Sequence, residues 1–318
     1  MENFTLAVLD GNGIFCRRWL PGPATPLRGV VMIAHGMAEH SLRYDDFARA
    51  LAGRGLAVYA PDHRGHGHTA ESRDDLGYFA DSDGWNRVVG DLEELSERIR
   101  FDHPGVPLFL FGHSMGSFLA RDFMVRHGKR LRGAILSGTA AHPGIAGKMG
   151  RLAARAQARL QGARSLSPLL DKLSFGNYAR AFAPARTAFD WLSRDPEQVD
   201  LYVRDPLCGF VCRAGFFADM LSGVIRVNRA DHFAAVPKDL PLLMISGSRD
   251  PVGDFGRGVR RVHDAYRKAG VTDLTLALYD QGRHEMLNET NREQVVADVI
   301  QWIEDHVRGT QTSPLPGL

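Results

Sequence analysis

The stretch Leu108-Phe109-Leu110-Phe111-Gly112-His113-Ser114-Met115-Gly116 constrains this chain more than any other. Its short apolar run reads as a strand buried on both faces of a parallel sheet. The five residues from Gly112 match G-x-S-x-G, and a helical pattern runs from Ser117 to His127. Strand, motif and helix together are the context in which this turn lifts a serine hydroxyl to the exposed end of a sheet. The turn is so sharp that the residues two before and two after Ser114 must be small, and both are Gly. The helix behind it adds a backbone N–H and a favourable dipole. This frame favours a nucleophile at Ser114 over a plain tight turn.

The rest of the chain repeats the strand–helix alternation. Apolar runs Gly29–Ala34, Leu56–Ala60, Gly133–Leu136, Leu242–Ile245 and Leu274–Leu278 are separated by helical patterns such as Tyr44–Arg54, Trp85–Arg100 and Gly256–Ala269. Right-handed βαβ units and a mainly parallel sheet follow. Phe4–Leu9 and Ile14–Trp19 flank Asp10-Gly11-Asn12-Gly13 and predict an N-terminal hairpin. From His142 to Arg226 no strong strand run occurs, and the segment is too long for an ordinary connection. We read a core of residues 1–141 and 227–318 with an inserted helical cap, 142–226, over the strand ends. The tail Thr310–Leu318 reads as frayed.

Composition excludes several classes. Among 318 residues, 44% hydrophobic and 24% charged is ordinary for a globular chain. With 39 Lys+Arg against 37 Asp+Glu, the net charge of +2 gives no general electrostatic reason to bind nucleic acid. Three cysteines, Cys16, Cys208 and Cys212, make no disulfide framework and suit a reducing compartment. No basic and apolar leader precedes the first strand, and no apolar run reaches the roughly 18 residues of a spanning helix. A cytoplasmic location is expected.

A serine hydroxyl needs a base. In this architecture the acid and then the histidine follow the serine in chain order. Asp250 follows the run ending near Gly247, and His284 follows the last apolar run. Both therefore fall at strand carboxyl ends, where open α/β sheets place their sites. His284 is read as the base and Asp250 as its orienting acid, with Asp254 and Asp280 as rivals for the acid. An oxyanion hole is expected from the backbone N–H groups of Met115 and Met37, the latter after the strand Val30–Ala34.

Other features carry blander readings. His35 is expected to pack its loop, and Asp62-His63-Arg64-Gly65-His66-Gly67-His68 to be a hydrogen-bonded structural loop. Cys208 and Cys212 are read as two buried thiols rather than zinc ligands; no metal and no cofactor are expected. Glu39 is read as a helix-start carboxylate. Lys148, Arg151, Arg155 and Arg159 recur at helical spacing among Met149, Leu152 and Leu160. They form a solvated cationic face, with contact to an anionic membrane surface as the competing reading.

His35-Gly36-Met37-Ala38-Glu39-His40 with Arg43-Tyr44 resembles the HGxxEHxxRY stretch of the monoacylglycerol lipase and lysophospholipase family of α/β-hydrolases. Asp62-His63-Arg64-Gly65-His66-Gly67 is similar to that family's DxRGHG loop, and Gly112–Gly116 to its GHSMG elbow. Asp250-Pro251 and Gly282-Arg283-His284-Glu285 complete the set, over nearly the whole core. In the cap, Ser174–Tyr178 and Asp205–Phe210 resemble bacterial lysophospholipase-like members. The resemblance implies an α/β-hydrolase fold and a Ser114–His284–Asp250 hydrolase with Met37 and Met115 as oxyanion donors. It also implies a mobile helical cap over an acyl pocket. Ala38 and Ser117 depart from the family, standing where many members have Gly.

The expected activity is hydrolysis of carboxylic esters, with lipid monoesters first. Short-chain esters, thioesters and N-terminal prolyl peptides are alternatives within the enzyme class. Outside it stands a non-catalytic binding module on a hydrolase fold, which a missing triad member would favour. The expected partner is a small acyl ester or lipid, with membrane contact through the cap as the competing reading of its cationic face; oligomeric state is left open.

Overall fold

A computed structural model describes residues 1–176 and 178–308. Asn177 of the cap motif and the tail Thr310–Leu318 lie outside them. Eight strands form one sheet: β1 (Glu2–Ala7), β2 (Gly13–Trp19), β3 (Gly29–Ala34), β4 (Leu56–Pro61), β5 (Leu108–His113), β6 (Gly133–Ser137), β7 (Leu242–Gly247) and β8 (Leu274–Tyr279). Their spatial order is β1-β2-β4-β3-β5-β6-β7-β8. The predicted hairpin is present as β1 and β2, which pair antiparallel; β2 pairs antiparallel with β4, and every later pairing is parallel. The hairpin closes earlier than predicted: Gly11 donates to the Val8 carbonyl, drawing Val8 and Leu9 into the turn.

The central strands are buried along their whole length, and successive side chains alternate between the two faces of the sheet. In β3, Val30, Met32 and Ala34 join one core and Val31 and Ile33 the other. The first core is closed by α2 (Gly84–Asp102), α3 (Met115–His127) and α9 (Arg257–Lys268). The second is closed by α1 (Asp45–Ala52) and α10 (Arg292–Arg308). Helix α10 was not singled out from the sequence, although Val295, Val299 and Ile303 recur at helical spacing and are buried.

The chain leaves β3 toward β4 on one side and β5 toward β6 on the other. The sheet therefore reverses direction between β3 and β5, and open α/β sheets form their binding crevice at such a switch point. Between β6 and β7 lie α4 (Gly144–Gln161), α5 (Pro168–Phe175), α6 (Pro196–Arg204), α7 (Ala214–Val227) and α8 (Ala230–Ala235). Helix α4 packs along α7, while α8 returns to the core, its Phe233 edge-on to Tyr266 of α9.

Candidate active site

Ser114 is the one residue between β5 and α3. Its backbone is forced to φ 50°, ψ −117°, a region non-glycine residues avoid. Hydrogen bonds hold it there. Ser114 N–H donates to the Ser137 carbonyl at 2.9 Å, and the Ser114 carbonyl accepts from Ser117 N–H at 2.9 Å and Ser117 Oγ at 2.6 Å. A Cβ on Gly116 would stand 1.9 Å from the Ala34 carbonyl oxygen, so the turn closes only with glycine there. Ser117, a departure from the family pattern, spends its hydroxyl on the strained turn.

Asp250 and His284 sit on loops after β7 and β8, and these loops touch through glycine. A Cβ on Gly247 would lie 2.0 Å from the Gly282 carbonyl oxygen. Asp250 Oδ2 lies 3.0 Å from His284 Nδ1, and its other oxygen accepts from Val252 N–H at 2.9 Å. Both side chains are buried. Burial alone would push the His284 pKa down, but the facing Asp250 carboxylate and its hydrogen bond outweigh it and hold the pKa above the ordinary value. The Trp191 ring, from the segment between β6 and β7, lies 5.2 Å from the His284 ring. On another side His113 lies 4.8 Å away; burial and its neighbour drive the His113 pKa down to about 3. An imidazole so placed can take a proton at Nε2 while Asp250 fixes Nδ1.

Ser114, His284, Met37 and Met115 line one cavity of about 780 Å³. Met115 opens α3, so its N–H has no partner within the helix. No hydrogen bond links Ser114 Oγ to His284 among the described residues, a looseness common in substrate-free hydrolytic sites. The walls are mostly apolar: Phe118 from the core, with Leu170, Phe189, Trp191, Phe210 and Val224 from the segment between β6 and β7.

The oxyanion-side loop is held by residues whose roles the sequence did not reveal. Glu39 is no simple helix-start carboxylate. It is buried, accepts from Gly36 N–H, takes a 2.8 Å bond from Tyr44 Oη and pairs with Arg43 at 2.7 Å. Arg43 also grips Glu285, next to His284, through two bonds of 2.6 and 2.7 Å. Ala38 adopts φ 52°, and its carbonyl accepts from Tyr202 Oη and Gly209 N–H, each at 2.9 Å. The Arg43–Tyr44 and Glu285 flanks of the motifs were visible signals, but a long-range ion pair has no periodicity to reveal it.

The rival acids have other partners, although Asp254 also lines the cavity. Asp254 is tied to Arg257 and Arg261 at 2.7 and 2.9 Å, and Asp280 accepts from Ser248 Oγ on an exposed loop. The histidine-rich loop is hydrogen-bonded and buried: His35 Nε2 accepts from His63 N–H at 2.9 Å, and Asp62 accepts from Arg17, Ser41 and His68. All three cysteines are buried and free.

The family described as Hydrolase_4, serine aminopeptidase S33, matches residues 25–291. A monoglyceride lipase of Mus musculus is 31% identical over 309 residues, covering 94% of this chain and 89% of its own. A monoacylglycerol lipase of Mycolicibacterium smegmatis is 31% identical over 289 residues, covering 90% of this chain and 91% of its own. In structure, a thermostable carboxyl esterase of Bacillus coagulans in complex with glycerol superposes with a TM-score of 0.89 at 27% identity, over 96% of this chain and 98% of that one.

Proposed function

Since the chain belongs to the serine aminopeptidase S33 family of α/β-hydrolases, the family that includes the monoglyceride lipases, we propose that this carboxylic ester hydrolase cleaves lipid monoesters through an acyl-enzyme on Ser114. The observation that carries the reading is the buried Asp250–His284 pair beside Ser114 in a largely apolar cavity of about 780 Å³. Ser114 Oγ attacks the acyl carbon as His284 Nε2 takes its proton. The oxyanion receives the N–H groups of Met37 and Met115. Collapse expels the alcohol, protonated by His284, and water then repeats the sequence to release the fatty acid.

Two observations favour long acyl esters over the alternatives. The cavity is in the range of drug-sized ligand sites, larger than an acetyl ester needs. The anchor an aminopeptidase would require for a substrate amine is engaged, since Glu39 already takes Gly36, Arg43 and Tyr44.

Residues 142–226 act as the cap in this reading, and their outer surface points to a lipid bilayer. Ile145, Leu160 and Leu169 are 80%, 84% and 67% exposed, and Met149, Leu152 and Leu173 are exposed as well. Within α4 the amphipathic sense is inverted. Small Gly147 and Ala154 face inward, while leucines face out among exposed Lys148, Arg155 and Arg159; Arg151 is half-buried. An apolar patch rimmed by cations suits the surface of an anionic membrane. Met149 also lines the cavity, so a lipid could pass from the bilayer to Ser114. No helix among the described residues is long and apolar enough to cross a membrane.

The test is hydrolysis of monoacylglycerols, lysophospholipids and 4-nitrophenyl esters of increasing chain length by wild type and Ser114→Ala. Release of medium and long chains, lost in the variant, supports the proposal. Activity confined to acetyl and butyryl esters overturns its lipid part.

A further inference from the structure

Where the cap meets the oxyanion loop, three side chains of metal-ligating type converge: His40, Asp205 and Cys208. One ligand atom of each lies within 4.8 Å of the others. His40 follows the loop carrying Met37 and Ala38. Asp205 and Cys208 lie at the two ends of one tight turn after α6, closed by Cys208 N–H donating to the Asp205 carbonyl at 3.1 Å. Leu207 N–H adds a 2.8 Å bond to Asp205 Oδ1. The turn thus delivers a carboxylate and a thiol together from the cap, and the core supplies the imidazole.

We propose that His40, Asp205 and Cys208 bind a borderline divalent cation of the zinc class. His40 is buried, with Nε2 2.9 Å from Asp205 Oδ2 and Nδ1 without a partner. The donor set is one nitrogen, one carboxylate oxygen and one sulfur. That set selects zinc-class ions over magnesium or calcium, which prefer oxygen alone. Carboxylate and thiolate together balance a 2+ charge, and three protein ligands leave a fourth position for water. Binding releases the Cys208 thiol proton to solvent and forms the metal–sulfur bond. Asp205, with its side chain 31% exposed, provides the route in from solvent. The three ligand atoms already lie within 4.8 Å of one another, and ligands sharing a tetrahedral zinc with bonds of about 2.0–2.3 Å stand roughly 3.3–3.8 Å apart. The ion would therefore take the place of the 2.9 Å His40–Asp205 contact and tie the Asp205–Cys208 turn to His40 through metal bonds.

That cross-link acts beside the neighbouring joint. Gly209 N–H and Tyr202 Oη, on either side of the turn in sequence, hold the Ala38 carbonyl. A bound cation would thus clamp the cap to the oxyanion loop and slow any turnover that requires the cap to move. The pattern differs from the paired-cysteine arrangement considered from the sequence, since Cys212 plays no part.

Chelator-treated, refolded-state-checked protein titrated with Co²⁺ decides the matter without reference to hydrolysis. The expected result is a thiolate-to-cobalt charge-transfer band in the near ultraviolet that saturates at one ion per chain. Cys208→Ser should abolish the band, and Cys16→Ser and Cys212→Ser should retain it. Asp205→Asn should weaken binding by roughly tenfold or more, the scale already seen on losing outer-shell partners of metal ligands. Absence of the band in wild type, or its survival in Cys208→Ser, overturns the site. Should Cys208→Ser fail to fold, an undiminished affinity in folded Asp205→Asn also overturns it.

Discussion

Arg43 and Glu285 meet through two parallel hydrogen bonds of 2.6 and 2.7 Å across 242 positions of sequence. The pair joins the two loops on which the proposed chemistry depends. Arg43 also holds Glu39, whose carboxylate takes the Gly36 N–H of the oxyanion loop, while Glu285 adjoins His284. Burial opposes ionisation at both groups, yet each partner's charge wins, raising the Arg43 pKa and lowering that of Glu285.

Glu285→Gln should therefore destabilise the fold by about 3–5 kcal/mol, as expected on removing one member of a buried pair. Urea unfolding at neutral pH measures this. Because the Glu285 pKa is depressed on folding, its contribution is complete above the ordinary carboxylate range and fades as pH falls through the folded value. The stability gap between wild type and variant should accordingly narrow in acid; a gap constant down to the acid transition would contradict the assignment.

Asp250→Asn should lower kcat by about four orders of magnitude, because the imidazole loses its orienting acceptor and the charge that stabilises its protonated form. A base works unprotonated, and Asp250 holds the His284 pKa above its ordinary value. The acid limb of kcat/KM in wild type should thus lie above pH ~6.5, the unperturbed imidazole value, and should move to lower pH in the variant. pH–rate profiles of both proteins check the shift.

The elbow separates two kinds of glycine-family position. Gly116→Ala must displace the Ala34 carbonyl, which a Cβ would meet at 1.9 Å, and should cost about 4 kcal/mol or more. Ser117→Ala loses only the 2.6 Å hydroxyl bond to the Ser114 carbonyl and should cost about 1 kcal/mol. Comparative thermal unfolding distinguishes them.

Tyr202→Phe removes one of two donors on the Ala38 carbonyl while leaving the ring under Arg43, 4.8 Å from its guanidinium carbon. Stability should fall by about 1 kcal/mol. The catalytic readout should be a lower kcat with KM little changed, since the loop acts on the oxyanion more than on the bound ester. A raised KM at constant kcat would instead place Tyr202 in substrate binding.

Leu160→Asp combined with Leu169→Asp should abolish association with anionic vesicles and leave hydrolysis of soluble short esters unchanged, because both side chains lie outside the cavity. Charge reversal at Lys148, Arg155 and Arg159 should weaken association mainly at low salt. Sedimentation with vesicles of defined anionic content tests both. Equal binding by wild type and the double variant would remove the membrane reading.

The sheet and the candidate triad were legible in the amino-acid sequence because both depend on local rules. Strands buried on two faces must be continuous apolar runs, and Ser114 needs glycine on either side within five residues. Asp250 and His284 could be nominated because parallel strands deliver their following loops to one edge. The Arg43–Glu285 pair, the hold of Tyr202 and Gly209 on Ala38 and the approach of Cys208 to His40 left no such mark. Nor did the inward face of α4, where packing against α7 placed Gly147 and Ala154 inside and left Leu152 and Leu160 exposed. Hydrophobic periodicity reports how an element can be amphipathic. Which face meets the protein, and which distant charges are buried together, is decided only when the tertiary packing sets what is removed from water.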